Sequence, residues 1–326
     1  MEQFIDLIKD DMKKVEEEFQ TRLASQCTHL TEVAQEQLNR GGKRFRPALL
    51  LLSARLCGYR GRDHIPLAAV IEFIHTATLL HDDVIDNAEV RRGRPSANRQ
   101  VGNRYSVLTG DFLFCKSLAM GIAIGNLRVL ETLIETTTAL SEGEAMEMEQ
   151  SGEVGGVTNL SLTEEENRGL IINKTAVLIS AAMRIGAILG QAPAPLEEAL
   201  ASFGLAVGIA FQLVDDCLDY IGVDTGKEIG IDLKERKVTL PLIHCLSQST
   251  AHERKEIEKI VLGKGLTPSA LQRVTALINK YKGFDYTFAR AQRYIDEAKA
   301  RLEILPASRE KEALFAGADY AVKRRV

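Results

Sequence analysis

Two short segments of the chain carry carboxylates at a spacing that suits metal binding. In the first, residues 71–94 (IEFIHTATLLHDDVIDNAEVRRGR), Asp82, Asp83 and Asp86 occupy relative positions 1, 2 and 5. On a helix, Asp82 and Asp86 would project from one face a single turn apart. Two carboxylates about 6 Å apart repel by roughly 3 kcal/mol at an effective dielectric near 20, so the cluster favours a cation. Hard oxygen ligands shared with substrate phosphates are typical of Mg²⁺.

The same pattern occurs a second time in residues 211–222 (FQLVDDCLDYIG), as Asp215, Asp216 and Asp219. One cluster of this kind is a weak signal, because acidic pairs are common on exposed helices. Both clusters here lie in largely apolar helical segments, and basic residues follow each of them. Together they predict a site that holds several Mg²⁺ ions.

Basic residues at two places in the N-terminal part of the chain suit phosphate groups. Arg91 and Arg92 follow the first cluster and supply permanently charged forks that match phosphate oxygens. The segment 41–47 (GGKRFRP) has two glycines and three cations before an apolar run, with a proline suited to the first turn of a helix. Backbone amides at that helix start, with Lys43 and Arg46, would form a cradle for a diphosphate.

Further polar residues allow two interpretations each. His75 lies seven residues before Asp82, on nearly the same helix face, and is a site residue or a buried packing histidine. Lys174 and Thr175 interrupt an apolar surface over 170–189. A buried lysine needs a counterion, so a bound anion is one partner, and extension of the side chain to solvent is the alternative.

A polar loop follows the second cluster. Residues 223–237 are rich in Gly, Asp and Lys. Lys227 and Lys237 in this loop could close over an anion or remain solvated.

Composition limits the class of protein that presents these residues. The 326 residues are 45% apolar and 26% charged with a net charge of −4, which fits a soluble globular protein and does not favour nucleic-acid binding. The five cysteines are widely spaced without a CxxC pair, which predicts reduced thiols in a cytoplasmic protein. The apolar runs are too short to span a bilayer, so at most peripheral membrane contact is expected.

The elements that must position the site are predicted to be helices. Apolar residues at helical spacing favour an amphipathic helix within residues 2–38, a helix from near Leu67 through the first cluster, and further helices over most of the remaining chain. Ser161 to Glu164 reads as a capping box that opens another helix. There is no convincing strand pattern, domain linker, internal repeat or low-complexity tract.

Five motifs, in this order and at these separations, closely resemble the trans-prenyl diphosphate synthases: GGKRFRP, HDDVIDNAEVRRG, NKTAVL, FQLVDDCLDYIG and GKEIGIDLKERKVTLPL. The resemblance covers about residues 35–320 and is closest to bacterial octaprenyl diphosphate synthases. It implies an all-α protein, a single domain over residues 1–326 that forms a helical bundle of the isoprenoid synthase type around a deep central cavity. It also implies a homodimer.

The resemblance assigns roles to individual residues. It implies that Mg²⁺, two or three ions per site, is bound by the six carboxylates Asp82, Asp83, Asp86, Asp215, Asp216 and Asp219. The allylic diphosphate would be surrounded by Arg91, Lys174, Thr175, Gln212, Lys227 and Lys237. Isopentenyl diphosphate would be held by Lys43, Arg46, His75 and Arg92. The residues expected to be catalytic are Asp82, Asp83, Asp86, Lys174, Asp215 and Asp216.

The implied reaction is repeated condensation of isopentenyl diphosphate onto an allylic primer, farnesyl or geranyl diphosphate, through metal-assisted ionisation. Product length depends on the floor of an apolar tunnel below the first cluster. Ala77 and Thr78 are expected to face this tunnel, and their small side chains leave it open. Ile74 is a candidate for the deeper floor. One helical turn of about 5.4 Å matches about one isoprene unit. We therefore expect a heptaprenyl to decaprenyl product, with octaprenyl favoured.

Several alternatives remain open at this stage. A class I terpene cyclase usually lacks the first basic loop and replaces the second DDxxD, whereas this chain has both. A non-catalytic subunit of a heteromeric synthase would be expected to lose metal ligands. A helical scaffold would not explain why both acidic clusters sit in apolar segments. A shorter-chain farnesyl or geranylgeranyl diphosphate synthase is the alternative for the product.

Overall fold

The computed structural model describes residues 6–40, 42–91, 93–156, 158–222, 229–263 and 265–323. The helices are α1 (Lys9–Thr21), α2 (Thr28–Asn39), α3 (Phe45–Leu56), α4 (His64–Ile85), α5 (Ala97–Ala123), α6 (Leu127–Ser151), α7 (Glu164–Ile171), α8 (Val177–Leu189), α9 (Ala194–Ile221), α10 (Ile231–Lys234), α11 (Leu240–Gln248), α12 (Ala251–Val261), α13 (Pro268–Lys280), α14 (Gly283–Arg301) and α15 (Arg309–Lys323). A five-residue π-helical segment, Ile172–Ala176, joins α7 to α8. In the described residues, strands are confined to an antiparallel pair, β1 (Val90–Arg91) and β2 (Arg94–Pro95). The prediction of an all-α protein is confirmed.

The described residues group into two compact units. The first contains the described parts of Met1–Thr138, Val177–Leu205 and Ala298–Ala318, and the second those of Ala139–Ala176, Ala206–Glu297 and Asp319–Val326. The first carboxylate cluster belongs to the first unit and the second cluster to the second unit. A single domain over residues 1–326 and a deep central cavity stay predictions.

Helix α4 is the buried centre of the first unit and carries the first carboxylate cluster at its end. It is apolar on nearly all sides and packs against α3, α5 and α8, as expected for a helix with no solvent face. Phe73, Ile74 and Ala77 have at most 1% of their surface exposed. Burial of each large apolar side chain contributes about 1.5–3 kcal/mol, so this packing holds the helix end in a fixed place.

Two helix boundaries differ from the sequence-based predictions. The proposed amphipathic helix within residues 2–38 is two helices in the described residues, α1 and α2, with a break at residues 22–27. The capping box lies two residues later than predicted: Thr163 is the N-cap of α7, and its partner is the side chain of Glu166. Both Ser161 and Thr163 are followed three residues later by Glu, so the sequence pattern alone could not choose between them.

Among the described residues, three segments have the length and hydropathy of a membrane-spanning helix by composition alone: Ala97–Ala123, Glu164–Leu189 and Ala194–Ile221. In the second and third, 61% and 67% of the most apolar window is buried inside the protein, against 39% in the first. Much of the apolar surface of the second and third segments therefore packs inside the protein. At most peripheral membrane contact stays a prediction.

Candidate active site

The first carboxylate cluster lies at the C-terminal end of α4. The N–H of Asp86 donates to the carbonyl oxygen of Asp82 at 2.8 Å, so these residues are one turn apart, as predicted. Both are half-buried, whereas Asp83 is buried and its carboxylate pairs with the guanidinium of Arg91. The cluster thus has two half-buried carboxylates, Asp82 and Asp86, and one buried carboxylate paired with a cation.

The basic loop before α3 is anchored by Arg44, which adopts a left-handed conformation with φ 46°. Its guanidinium donates to Glu16 at 2.7 Å, to Glu72 on α4 at 2.8 Å and to the carbonyl of Leu38 at 2.7 Å. Side chains from α1 and α4 therefore hold a backbone shape that is unusual outside glycine. This anchoring places the loop beside the middle of α4.

A pocket of the first unit contains two of the predicted diphosphate-binding residues, His75 and Arg91. Its lining includes Gln37, Arg40, Arg44, Glu72, His75, Asp83 and Arg91. Lys43 is exposed and Arg46 is half-buried on either side of Arg44 in the sequence. Arg92 lies outside the described residues. The first unit thus brings His75 and Arg91 to one anion-compatible pocket.

The second cluster repeats the burial pattern of the first near the end of α9. Asp215 and Asp219 are half-buried one turn apart, and Asp216 is 3% exposed. One carboxylate oxygen of Asp216 accepts from the amide of Gln212 at 2.9 Å. Its other oxygen, Oδ2, is buried and has no hydrogen-bond partner among the described residues. A buried oxygen in that state favours a proton or a cation.

Asp219 also accepts hydrogen bonds from the backbone at the start of α10, which its position in the motif does not indicate. Its two carboxylate oxygens accept the backbone N–H groups of Ile231 and Asp232, each at 3.2 Å. These are first-turn amides of α10, which otherwise lack partners within the helix. Asp219 therefore fixes the end of the polar loop against the second cluster.

The two predicted lysines meet acidic side chains from α6. The Nζ of Lys174 is 2.9 Å from Glu144 and also pairs with Oε1 of Glu147. The Nζ of Lys237 is 2.9 Å from the same Oε1 of Glu147 and 2.9 Å from Glu235. A single carboxylate oxygen thus bridges the two ammonium groups.

Thr175, Gln212 and Asp216 are connected by consecutive side-chain hydrogen bonds. Thr175 donates to the side-chain oxygen of Gln212 at 2.9 Å, and Gln212 in turn donates to Asp216. They line a pocket of about 680 Å³ of empty space in the second unit. Other residues of its lining are Glu147, Asn167, Lys174, Asp232 and Lys237. Lys227 lies outside the described residues.

Burial and like charge perturb the acids of this pocket. Burial, together with repulsion from Asp215, Asp219 and Glu147, raises the pKa of Asp216 to about 8. Burial and repulsion from Asp219, Asp216 and Glu147 raise the pKa of Asp232 well above its usual value. Burial opposes ionisation of Glu147, but Lys174 and Lys237 outweigh it and lower its pKa.

The donor set fits a divalent cation without forming a closed metal site. Across the described residues, no three His, Cys, Asp or Glu side chains lie close enough together to hold a metal ion. The open arrangement suits Mg²⁺, which usually takes one or two carboxylates and completes its shell with water and phosphate oxygens. The unpartnered oxygen of Asp216 and the repulsion around it are what such a cation would relieve.

The predicted chain-length residues lie on α4, within three positions of His75 in the sequence. Ile74 and Ala77 are buried, with 1% and 0% of their surface exposed, while Thr78 is half-buried. The hydroxyl of Thr78 donates to the carbonyl of His75 at 2.8 Å. Thr78 is the more accessible of the two small residues, so a larger side chain fits there with less displacement.

Several site residues were missed by sequence reasoning. Glu144 and Glu147 belong to none of the five motifs, and their lysine partner at 174 is 30 and 27 residues away. Arg44 was grouped with its basic neighbours, yet it is a structural anchor rather than an open cation. The three-residue spacing of Glu144 and Glu147, which places them on one helix face, was the available signal.

The protein is all-α and has two carboxylate clusters of the same pattern, each bordered by cations. These features are typical of enzymes that bind phosphate groups through metal ions. Comparisons with known proteins identify the family. The polyprenyl synthetase family profile matches residues 27–278. Octaprenyl diphosphate synthase from Escherichia coli (strain K12) is 37% identical over 326 residues, covering 99% of both chains.

Two crystal structures resemble the whole chain. Polyprenyl synthase from Caulobacter crescentus CB15, complexed with calcium and isoprenyl diphosphate, superposes with TM-score 0.94 at 36% identity, covering 99% of this chain and 98% of the other. A decaprenyl diphosphate synthase from Rhodobacter capsulatus gives TM-score 0.93 at 38% identity, covering 98% of each chain. The chain belongs to the polyprenyl synthetase family. It is a trans-prenyl diphosphate synthase and therefore a transferase.

Proposed function

We propose that the protein extends an allylic diphosphate primer by repeated condensation with isopentenyl diphosphate and releases a long all-trans polyprenyl diphosphate. The observation that carries this proposal is the second cluster with its lysine-lined pocket. Asp216 of the second cluster lines one pocket together with Lys174, Thr175 and Gln212, so a metal-ligating carboxylate and phosphate-binding groups border the same space.

The proposal assigns one set of residues to Mg²⁺ and two further sets to the two diphosphates. Mg²⁺ would be held by Asp82, Asp83, Asp86, Asp215, Asp216 and Asp219. When bound, it would supply positive charge that stabilises the leaving diphosphate. The allylic diphosphate is bound by Arg91, Lys174, Thr175, Gln212, Lys227 and Lys237, and isopentenyl diphosphate by Lys43, Arg46, His75 and Arg92.

The residues perform binding and charge stabilisation, and the substrates supply the reacting groups. Lysines and arginines stabilise the diphosphate as the allylic C–O bond breaks and a carbocation forms. The double bond of isopentenyl diphosphate attacks this cation, and a proton then leaves to the departing diphosphate. The product is again an allylic diphosphate and can re-enter the cycle.

The test is to incubate the purified chain with Mg²⁺, labelled isopentenyl diphosphate and farnesyl diphosphate, and to size the dephosphorylated products by chromatography. We expect a ladder ending near octaprenyl. Asp82→Asn and Asp215→Asn should abolish elongation while far-UV circular dichroism stays unchanged. No elongation by the wild type alone would favour a heteromeric subunit, and a product of three or four units would favour a farnesyl or geranylgeranyl synthase.

We propose that the small residues on α4 set the length of the product, in the range from heptaprenyl to decaprenyl. Ala77→Phe and Thr78→Phe should each shorten the product, because an aromatic ring removes the space of about one helical turn. Thr78→Phe is the cleaner test because Thr78 is half-buried. Ala77→Ser, which hardly changes volume, is the control. Unchanged length in both folded Phe variants would contradict the assignment of the tunnel to this helix face.

We also propose that the protein is a cytoplasmic homodimer. Large apolar side chains lie exposed on α5 and the N-terminal part of α6: Leu108 is 53% exposed, Ile122 62%, Leu127 68% and Ile134 47%. An apolar surface of this kind favours a partner. None of the five cysteines forms a disulfide, which supports the proposed cytoplasmic location. Sedimentation velocity should give twice the chain mass, and Ile122→Glu should reduce it to the monomer.

A further inference from the structure

The carboxylate of Glu147 occupies an unusual position in the second unit. Its Oε1 atom contacts the ammonium groups of both Lys174 and Lys237, which come from different parts of the chain. The Glu147 side chain is 19% exposed and lines the same pocket as Gln212 and Asp216. An oxygen between two ammonium groups is the arrangement that a bound phosphate oxygen would have.

The close approach of two helices makes this contact possible. Gly143 on α6 lies against the π-helical segment, and a Cβ atom there would be 2.8 Å from the backbone nitrogen of Lys174. Glu144 and Glu147 are therefore close enough to reach Lys174 from one face of α6. The pairing is part of the packed structure rather than a chance contact of long surface side chains.

Charge in this pocket opposes the entry of a free anion. Among the described residues, Lys174 and Lys237 are paired with three carboxylates, those of Glu144, Glu147 and Glu235. Asp216 and Asp232 add further acidic groups to the lining of the same pocket. A diphosphate must therefore take the place of a carboxylate on the lysines or arrive with cations of its own.

We propose that Glu147 is a built-in counter-anion that holds Lys174 and Lys237 until a diphosphate displaces its carboxylate. Glu147 thereby sets the affinity of this pocket for the diphosphate group and makes binding depend on an accompanying cation. It is a specificity-determining residue that does not itself react. The inference rests on the proposed function, since it concerns the allylic diphosphate site.

Binding of inorganic pyrophosphate to the full-length protein, measured by calorimetry without metal, tests the proposal directly. Glu147→Gln keeps the size and a hydrogen-bond acceptor but removes the charge. It should tighten pyrophosphate binding by about tenfold, as expected for one nearby charge in a partly buried site. Glu149→Gln removes a charge from an exposed position on the same helix and should leave binding unchanged. Glu144→Gln, which releases Lys174 only, should fall between them.

A second readout separates displacement from a merely structural role. In steady-state assays, Glu147→Gln should lower the KM for the allylic diphosphate and leave the KM for isopentenyl diphosphate unchanged. Equal or weaker pyrophosphate binding by Glu147→Gln than by the wild type would overturn the inference while leaving the proposed function intact. Failure of every variant and the wild type to bind pyrophosphate, even with Mg²⁺, would overturn both.

Discussion

Two glycines in the second unit give opposite predictions for the same substitution. Gly143 in α6 contacts the π-helical segment so closely that a Cβ atom would be 2.8 Å from the nitrogen of Lys174 and 2.9 Å from the carbonyl carbon of Asn173. Gly169 in α7 has no heavy atom within 4 Å of the position of an added Cβ. Gly143→Ala and Gly169→Ala therefore differ only in packing.

The magnitude follows from two opposing effects. Replacing glycine by alanine inside a helix stabilises by about 0.5–1 kcal/mol, because the unfolded chain loses conformational freedom. At Gly143 the contacted atoms are backbone and cannot rotate away, so the two segments must separate by about 0.6 Å to reach ordinary contact at 3.4 Å. Overpacking of this kind costs about 1–3 kcal/mol. We expect Gly143→Ala to lower the free energy of unfolding by about 1–2 kcal/mol and Gly169→Ala to raise it by up to about 1 kcal/mol.

Urea unfolding followed by circular dichroism at 222 nm measures both changes, since the chain has no tryptophan. A gain of stability in Gly143→Ala, or a shift of both variants in the same direction, would refute the close-packing argument.

Two further predictions concern buried charges. Arg44→Met should cost about 3 kcal/mol in urea unfolding because it leaves the carboxylate of Glu72, 9% exposed, without its cation. The double variant Arg44→Met with Glu72→Gln should recover most of that loss, and an additive double variant would contradict the pairing. The pKa of Asp216 is raised to about 8 from 3.8 by burial and by repulsion from its acidic neighbours, so the metal-free fold loses stability as pH rises through this window. Asp216→Asn should therefore raise the melting temperature more at pH 8.5 than at pH 5, and an equal gain at both would contradict the shift.

Sequence reasoning succeeded where the physical cause is local. The one-turn spacing of Asp82 and Asp86 follows from helical periodicity, and Pro47 lies in the first turn of α3 as predicted. Both features depend on residues within a few positions of one another. The all-α class, in contrast, was implied by the resemblance that the five linked motifs carry.

The rest depends on contacts between distant segments. The DDxxD pattern does not distinguish Asp83 or Asp219 from the other carboxylates of their clusters. Asp83 nevertheless pairs with Arg91, and Asp219 accepts a hydrogen bond from the start of α10. The bridge from Glu147 to Lys237 joins residues 90 positions apart. Such pairings are decided by packing and desolvation, which no local pattern records.

The π-helical segment Ile172–Ala176 has a consequence for how this chain can change. A π turn contains one residue more than an α turn, so it behaves as an insertion that the helix absorbs without a loop. Deleting one residue there would restore regular α-helix and rotate everything beyond it by about 100° about the helix axis. Gly186, which lies against the backbone of Leu50 and Ala54 on α3, would then turn away from that helix. Single-residue deletions should therefore be tolerated far less in this segment than between α12 and α13. In a deletion scan, the yield of folded protein should be lowest for deletions within Ile172–Ala176.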